Sequence, residues 1–116
     1  MNMSKEPTNK AKDFEKALKD KQNLKYVLHL YVTGTTPKSA RAIRNIRKIC
    51  DEYLRGRCEL DVIDVYQQPG IARQEDITVT PTLVKALPSP LRKLIGDLSD
   101  TEHVLVGLNL TPKESD

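Results

Sequence analysis

The sequence predicts a single α/β domain: a strand–helix–strand unit, then helix, strand, strand and helix. Three observations lead there. Two apolar, β-branched runs, YVLHLYV from Tyr26 and ELDVIDV from Glu59, flank a proline-started amphipathic helix within about forty residues. Two further apolar runs flank Pro88-Ser89-Pro90, and Ser99-Asp100-Thr101-Glu102 reads as a helix start. The chain has 116 residues, one domain's worth.

Residues 1–23 read as a flexible polar extension. Only Phe14, Ala17 and Leu18 offer a short apolar patch, enough for a loose helical turn over Lys12–Lys19 and no more. The folded domain is expected over 24–110, and 111–116 form a polar tail. Tyr26–Val32 is nearly continuous in apolar residues, which suits a strand covered on both faces. Thr33-Gly34-Thr35-Thr36 turns the chain, with Thr36 as cap and Pro37 at the first helical position, where its missing N–H costs nothing. This helix should run to about Leu54, with Gly56 in a left-handed terminating position. Ala40, Ile43, Ile46, Ile49, Cys50, Tyr53 and Leu54 fill one half of its wheel, and Arg41, Arg44, Lys48 and Arg55 cluster on the other. Glu59–Val65 then makes the second strand. Two strands joined by one helix should pair in parallel.

Pro69-Gly70 opens a short helical stretch through Asp76, halted by Thr80-Pro81-Thr82. Thr82–Leu87 and Leu91–Ile95 read as a hairpin around the Pro-Ser-Pro turn. The last element carries a local conflict. The capping box predicts a helix from Asp100, yet Val104, Val106, Leu108 and Leu110 alternate as in a strand, and Val and Gly are poor helix formers. A short helix whose packing overrides propensity is the simpler reading; a segment able to take either form is the sharper one.

Composition excludes several classes of function. A net charge of +3 is far below the basic excess of a dedicated nucleic-acid binder, and five aromatics with no Trp leave no base-stacking platform. No apolar run approaches a membrane span, and no secretory signal is visible, so neither nucleic acid nor membrane is expected as a partner. Cys50 and Cys58, with seven residues between them, match neither a C-x-x-C pair nor a zinc knuckle, and a reduced, cytoplasmic protein is the economical reading.

The element order is that of a thioredoxin-like domain. In that fold a proline in the position of Pro81 is normally cis and faces the start of the first helix. The cysteines needed there are replaced by Thr35-Thr36-Pro37, which removes the attacking thiolate of redox catalysis. His29 and His103 have no companions at metal-ligand spacing, and the acids at Glu75-Asp76 and Asp97–Asp100 sit at turns and caps. No catalytic residue, metal or cofactor is expected. The basic face of the first helix is either a solvated surface or a docking surface for an acidic protein partner.

The segments YVLHLYVTGTTPKSARAI, VIDV, TVTPTLVKALPSPLRKLIGDLSD and VLVGLNL resemble the KaiB family, from about Tyr26 to Leu110. The resemblance implies a non-enzymatic regulator that docks on a KaiC-type, RecA-like ATPase. It also implies two folds: a resting homo-oligomer, tetramer or dimer, with βαββααβ order, and a thioredoxin-like monomer that binds the ATPase. Arg41, Arg44, Lys48 and Asp61 are the partner-binding residues so implied. Pro81, Pro88, Pro90, Gly107 and Asn109 are the cis-proline and fold-switch positions. The chain departs from the family pattern where Asp61 and Asp76 replace lysines, Asn109 an aspartate, and Ser89 the middle of a proline triplet. The alternative outside this family is a thiol- or glutathione-linked enzyme of the thioredoxin-like superfamily. A histidine-kinase sensor domain of the KaiC-interacting type shares the fold, and 116 residues leave no kinase region.

Overall fold

The computed structural model describes residues 24–110; the expected tail segments, including the helical turn over Lys12–Lys19, lie outside the described residues. Seven elements follow the expected order: β1 (Tyr26–Val32), α1 (Pro37–Tyr53), β2 (Cys58–Asp64), α2 (Pro69–Gln74), β3 (Thr82–Leu87), β4 (Arg92–Ile95) and α3 (Thr101–Gly107). They build a four-stranded sheet in the order β2-β1-β3-β4. β1 pairs in parallel with β2, Tyr26 opposite Cys58 and Val32 opposite Asp64. β3 runs antiparallel to β1, with a register shift at Val27/Leu28, and β4 returns antiparallel to β3. The second strand begins one residue earlier than expected, at Cys58.

Alternation along β1 sorts its side chains between two cores. Tyr26, Leu28, Leu30 and Val32 meet Ala42, Ile46 and Ile49 of α1 and Val104 and Leu105 of α3 on one face. Tyr31 joins Ile63 and Val84 on the other, where Ile71 and Ile77 pack. The sheet is thus a middle layer between α1 with α3 and the smaller α2. Each fully buried Leu, Ile or Val contributes about 1.5–3 kcal/mol, so the α1–α3 face carries most of the stabilisation. The buried stripe of α1 is Ser39, Ala42, Ile46 and Ile49, shifted from the expected one; Ala40 is only half-buried. A polar residue can open that stripe because Ser39 Oγ accepts from the Thr33 N–H (3.2 Å).

Helix ends follow local chemistry. Thr36 caps α1, its Oγ1 accepting from the Ser39 N–H at 3.3 Å, and Gly56 takes the left-handed conformation beyond it. The start of α3 corrects the expected capping box: the cap is Asp100, not Ser99, with Asp100 Oδ1 accepting from the His103 N–H (3.1 Å). The Ser99 N–H is instead turned onto Asp97 Oδ1. The conflicted segment is helical through Gly107: Val104, Leu105 and Leu108 are buried while Val106 is exposed, a helical rather than a strand alternation. It ends in a Schellman motif, with the Asn109 N–H donating to Val106 O and the Leu110 N–H to Leu105 O, and Asn109 left-handed at φ 63°. Asp76 closes α2 in the same way at φ 58°, with the Ile77 N–H on Ala72 O. The Thr80–Pro81, Leu87–Pro88 and Ser89–Pro90 bonds are cis.

Candidate functional site

The start of α1 is where a thioredoxin-like domain carries its thiols, and here it is a web of hydroxyls. Thr33 Oγ1 and Thr80 Oγ1 share a hydrogen bond, Ser39 Oγ accepts from the Thr33 N–H, and Thr36 Oγ1 accepts from the Ser39 N–H. Pro81 is buried beside Thr80, its carbonyl accepting from the Gly96 N–H at 3.0 Å. These hydroxyls are engaged with one another or with backbone N–H groups, and none is hydrogen-bonded to a base that would make it a nucleophile. The two thiols lie at the other end of α1. His29 is half-buried on β1 and His103 is exposed in the first turn of α3; among the described residues no group of three or more potential metal ligands occurs.

The expected partner-binding residues fall on two surfaces. Arg41 is engaged within the chain: its Nε meets Asp97 Oδ2 at 3.1 Å, and Asn45 Nδ2 holds the Asp97 backbone carbonyl at 2.8 Å. Hydrogen bonds from Ser99 and then from Arg41 hold the Asp97 carboxyl below the usual carboxylate range. Arg44 and Lys48 stand exposed on α1, and neither has an ion-pair partner among the described residues. Asp61 is exposed on β2, next to His29 in register, on the sheet face away from α1. It lines a shallow groove there with His29, Tyr31, Gln68 and Glu75. The structure therefore groups Arg44 and Lys48 beside the Arg41–Asp97 pair and leaves Asp61 on a separate face.

The remaining expected residues have backbone duties. Pro88 and Pro90 shape the β3–β4 turn, and Lys85, buried in β3, donates from Nζ to Pro88 O at 2.7 Å. Burial, then the nearby Arg92, pushes the Lys85 ammonium below its ordinary value. Gly107 ends α3 over β4, and a Cβ there would stand 2.5 Å from Leu94 Cδ2, the movable end of a side chain. Asp76 and Asn109 hold left-handed positions that short polar side chains tolerate better than other residues do.

Sequence reasoning missed three features. Lys85 was hidden because lysine is rarely buried, although its place inside TLVKAL is a signal. Nothing local announces that the Tyr26 hydroxyl, 82 positions away in sequence, donates to the Leu108 carbonyl at 3.0 Å. Nor does spacing announce that Cys50 and Cys58 face each other.

A thioredoxin-like domain that carries hydroxyls in place of thiols at its helix start lacks the attacking group of a thioredoxin-type oxidoreductase there. The comparisons agree. The KaiB domain family model matches residues 29–110. The circadian clock oscillator protein KaiB of Microcystis aeruginosa is 52% identical over 89 residues, 77% of this chain and 86% of that one. The circadian clock protein KaiB3 of Synechocystis is 51% identical over 87 residues, 75% and 85% of the two chains. Among solved structures, the N-terminal domain of Synechococcus elongatus SasA matches with a TM-score of 0.61 at 27% identity, over 78% of this chain and 90% of that one. Mitochondrial thioredoxin 3 of Saccharomyces cerevisiae, at 0.61 and 18% identity over 86% and 90%, shares the fold alone. The chain belongs to the KaiB family, and its role is that of a clock regulatory component rather than an enzyme.

Proposed function

We propose that the chain regulates a KaiC-type, RecA-like ATPase by docking on it in the thioredoxin-like state, through the solvent face of α1. The observation that carries this reading is the pair Arg44 and Lys48. Both are exposed, both lack an ion-pair partner among the described residues, and both sit on a helix whose other face is held in the core. Such cations steer an acidic surface into place and are neutralised on contact. Arg41 contributes through its pair with Asp97, which ties α1 to the loop before α3.

The same reading includes a second state. The segment from Val104 to Leu110 forms a helix end in the structure while its alternation also suits a strand. A resting homo-oligomer, dimer or tetramer, with βαββααβ order uses it as a strand, and docking draws on the thioredoxin-like fraction. Apparent affinity is then lowered by that fraction, and binding develops slowly. The compartment is the cytoplasm, where such an ATPase is met; no helix among the described residues is long and apolar enough to cross a membrane.

The test is association of Arg44→Glu/Lys48→Glu with the KaiC-type ATPase of the same organism. This variant leaves the Arg41–Asp97 pair in place. Affinity should fall by about tenfold or more, with a weaker salt dependence than wild type. Wild-type affinity in the correctly folded variant excludes this face as the docking surface.

A further inference from the structure

We propose that Cys50 and Cys58 form a reversible dithiol–disulfide site that reacts with low-molecular-weight disulfides of the glutathione class. Cys50 sits in the last turn of α1 and Cys58 opens β2, so the two thiols meet across the α1–β2 connection. Their Sγ atoms are 2.6 Å apart, well inside ordinary nonbonded contact. The connection that brings them together is braced. Leu54 is fully buried, the Arg57 N–H donates to Leu54 O at 2.8 Å, and Arg57 Nη2 donates to Tyr53 O at 3.1 Å. The pair is not sealed in the core. Both cysteines are half-buried and line an open groove of about 530 Å³ with Arg47, Asp51, Arg55 and Leu60. The two guanidinium groups outnumber the one carboxylate at the rim, which suits an anionic, tripeptide-sized thiol.

The two sulfurs are not equivalent. Cys50 lies in the last turn of α1, where the carbonyl end of the helix disfavours a thiolate, and its contact with Cys58 together with burial pushes that thiol up, while the same contact pulls the Cys58 thiol below its ordinary value. Cys58 is therefore the attacking sulfur. Its thiolate bonds to one sulfur of oxidised glutathione and expels the other half as glutathione thiolate. Cys50 then loses its proton to solvent and attacks Cys58 Sγ, breaking the mixed disulfide and releasing the second glutathione. The two protein thiols are oxidised, one glutathione disulfide is reduced to two thiols, and excess glutathione reverses both steps. This site lies at the opposite end of α1 from the hydroxyl web and uses none of the residues proposed for docking.

The experiment incubates the reduced full-length chain in glutathione buffers from reducing to oxidising, with thiol titration and intact mass as readouts. Wild type should lose both thiols together and show the mass of an internal disulfide with no retained adduct, restored by dithiothreitol. Cys50→Ser should stop at a stable mixed disulfide on Cys58. Wild type that keeps both thiols under oxidising conditions, or ends as a stable glutathione adduct or a covalent dimer, overturns the site. Cys50→Ser left unmodified overturns the assignment of Cys58 as the attacking sulfur.

Discussion

Replacing Tyr26 with Phe removes one oxygen and tests what holds α3 in its helical form. Tyr26 is 5% exposed, and its hydroxyl donates to Leu108 O at 3.0 Å. Leu108 is the C-cap of α3, so its carbonyl lies beyond the reach of the helix's own ladder. Loss of a buried neutral hydrogen bond costs about 0.5–1.5 kcal/mol net, and the orphaned carbonyl adds to it, up to about 1–3 kcal/mol if it stays dry. The slightly better burial of Phe offsets a few tenths. We expect Tyr26→Phe to destabilise by about 1.5 kcal/mol, which for a domain of this size lowers Tm by roughly 6–12 °C. Urea unfolding followed by far-UV circular dichroism measures it, with the slope unchanged. Hydrogen exchange should show the loss concentrated in the amides of Val104–Leu110 rather than in α1. A change under about 0.3 kcal/mol, or equal loss of protection in α1 and α3, refutes the reasoning.

Three further outcomes are expected. Asp100→Ala should cost about 1 kcal/mol in urea unfolding, because the His103 N–H loses its side-chain acceptor; Ser99→Ala should cost less, since the Ser99 side chain does not cap α3. Asp76→Val should destabilise by about 1 kcal/mol or more because the left-handed position at φ 58° penalises a β-branched residue, whereas Asp76→Gly should not destabilise. Burial raises both the Tyr26 and Tyr31 hydroxyls above 10.0. Their contribution is therefore full below 10.0 and lost as pH rises through the folded-state values. Ultraviolet titration of the folded chain should show delayed tyrosinate formation, with stability falling over the same range, and this alkaline loss should shrink in Tyr26→Phe.

The elements that were legible beforehand are those whose signals are local. Tyr26–Val32 and Thr82–Leu87 appear at the expected bounds because an apolar run between turn residues has few alternatives to a buried strand. α1 carries its own start and stop in Thr36, Pro37 and Gly56. The start of α3 was misplaced by one residue because Ser99 and Asp100 are both competent caps. Asp97 settles the choice by taking the Ser99 N–H. The absence of a thiol at the start of α1 was equally plain, since it rests on residue identity at one capped position. The cations of α1 were legible as a face but not as partners. That Arg41 is held by Asp97, 56 positions away, while Arg44 and Lys48 are not, is invisible to helical periodicity.

Residue types, their local order and the places where the backbone must turn are properties of short stretches, so the chain alone specified the α/β order, the cap of α1 and the lack of a thioredoxin-type nucleophile. It left two matters open. Val104–Leu110 carries signals for a helix and for a strand, the short helix being the simpler reading, and the structure holds the helix through contacts from far away: Tyr26 on its C-cap, the β1 and α1 side chains under Val104 and Leu105, and Leu94 against Gly107. Likewise, Cys50 and Cys58 are two unremarkable thiols until the parallel pairing of β2 with β1 brings the chain back past the end of α1. Both outcomes depend on which surfaces meet once the sheet is assembled, and that information is carried by packing between distant segments rather than by any one of them.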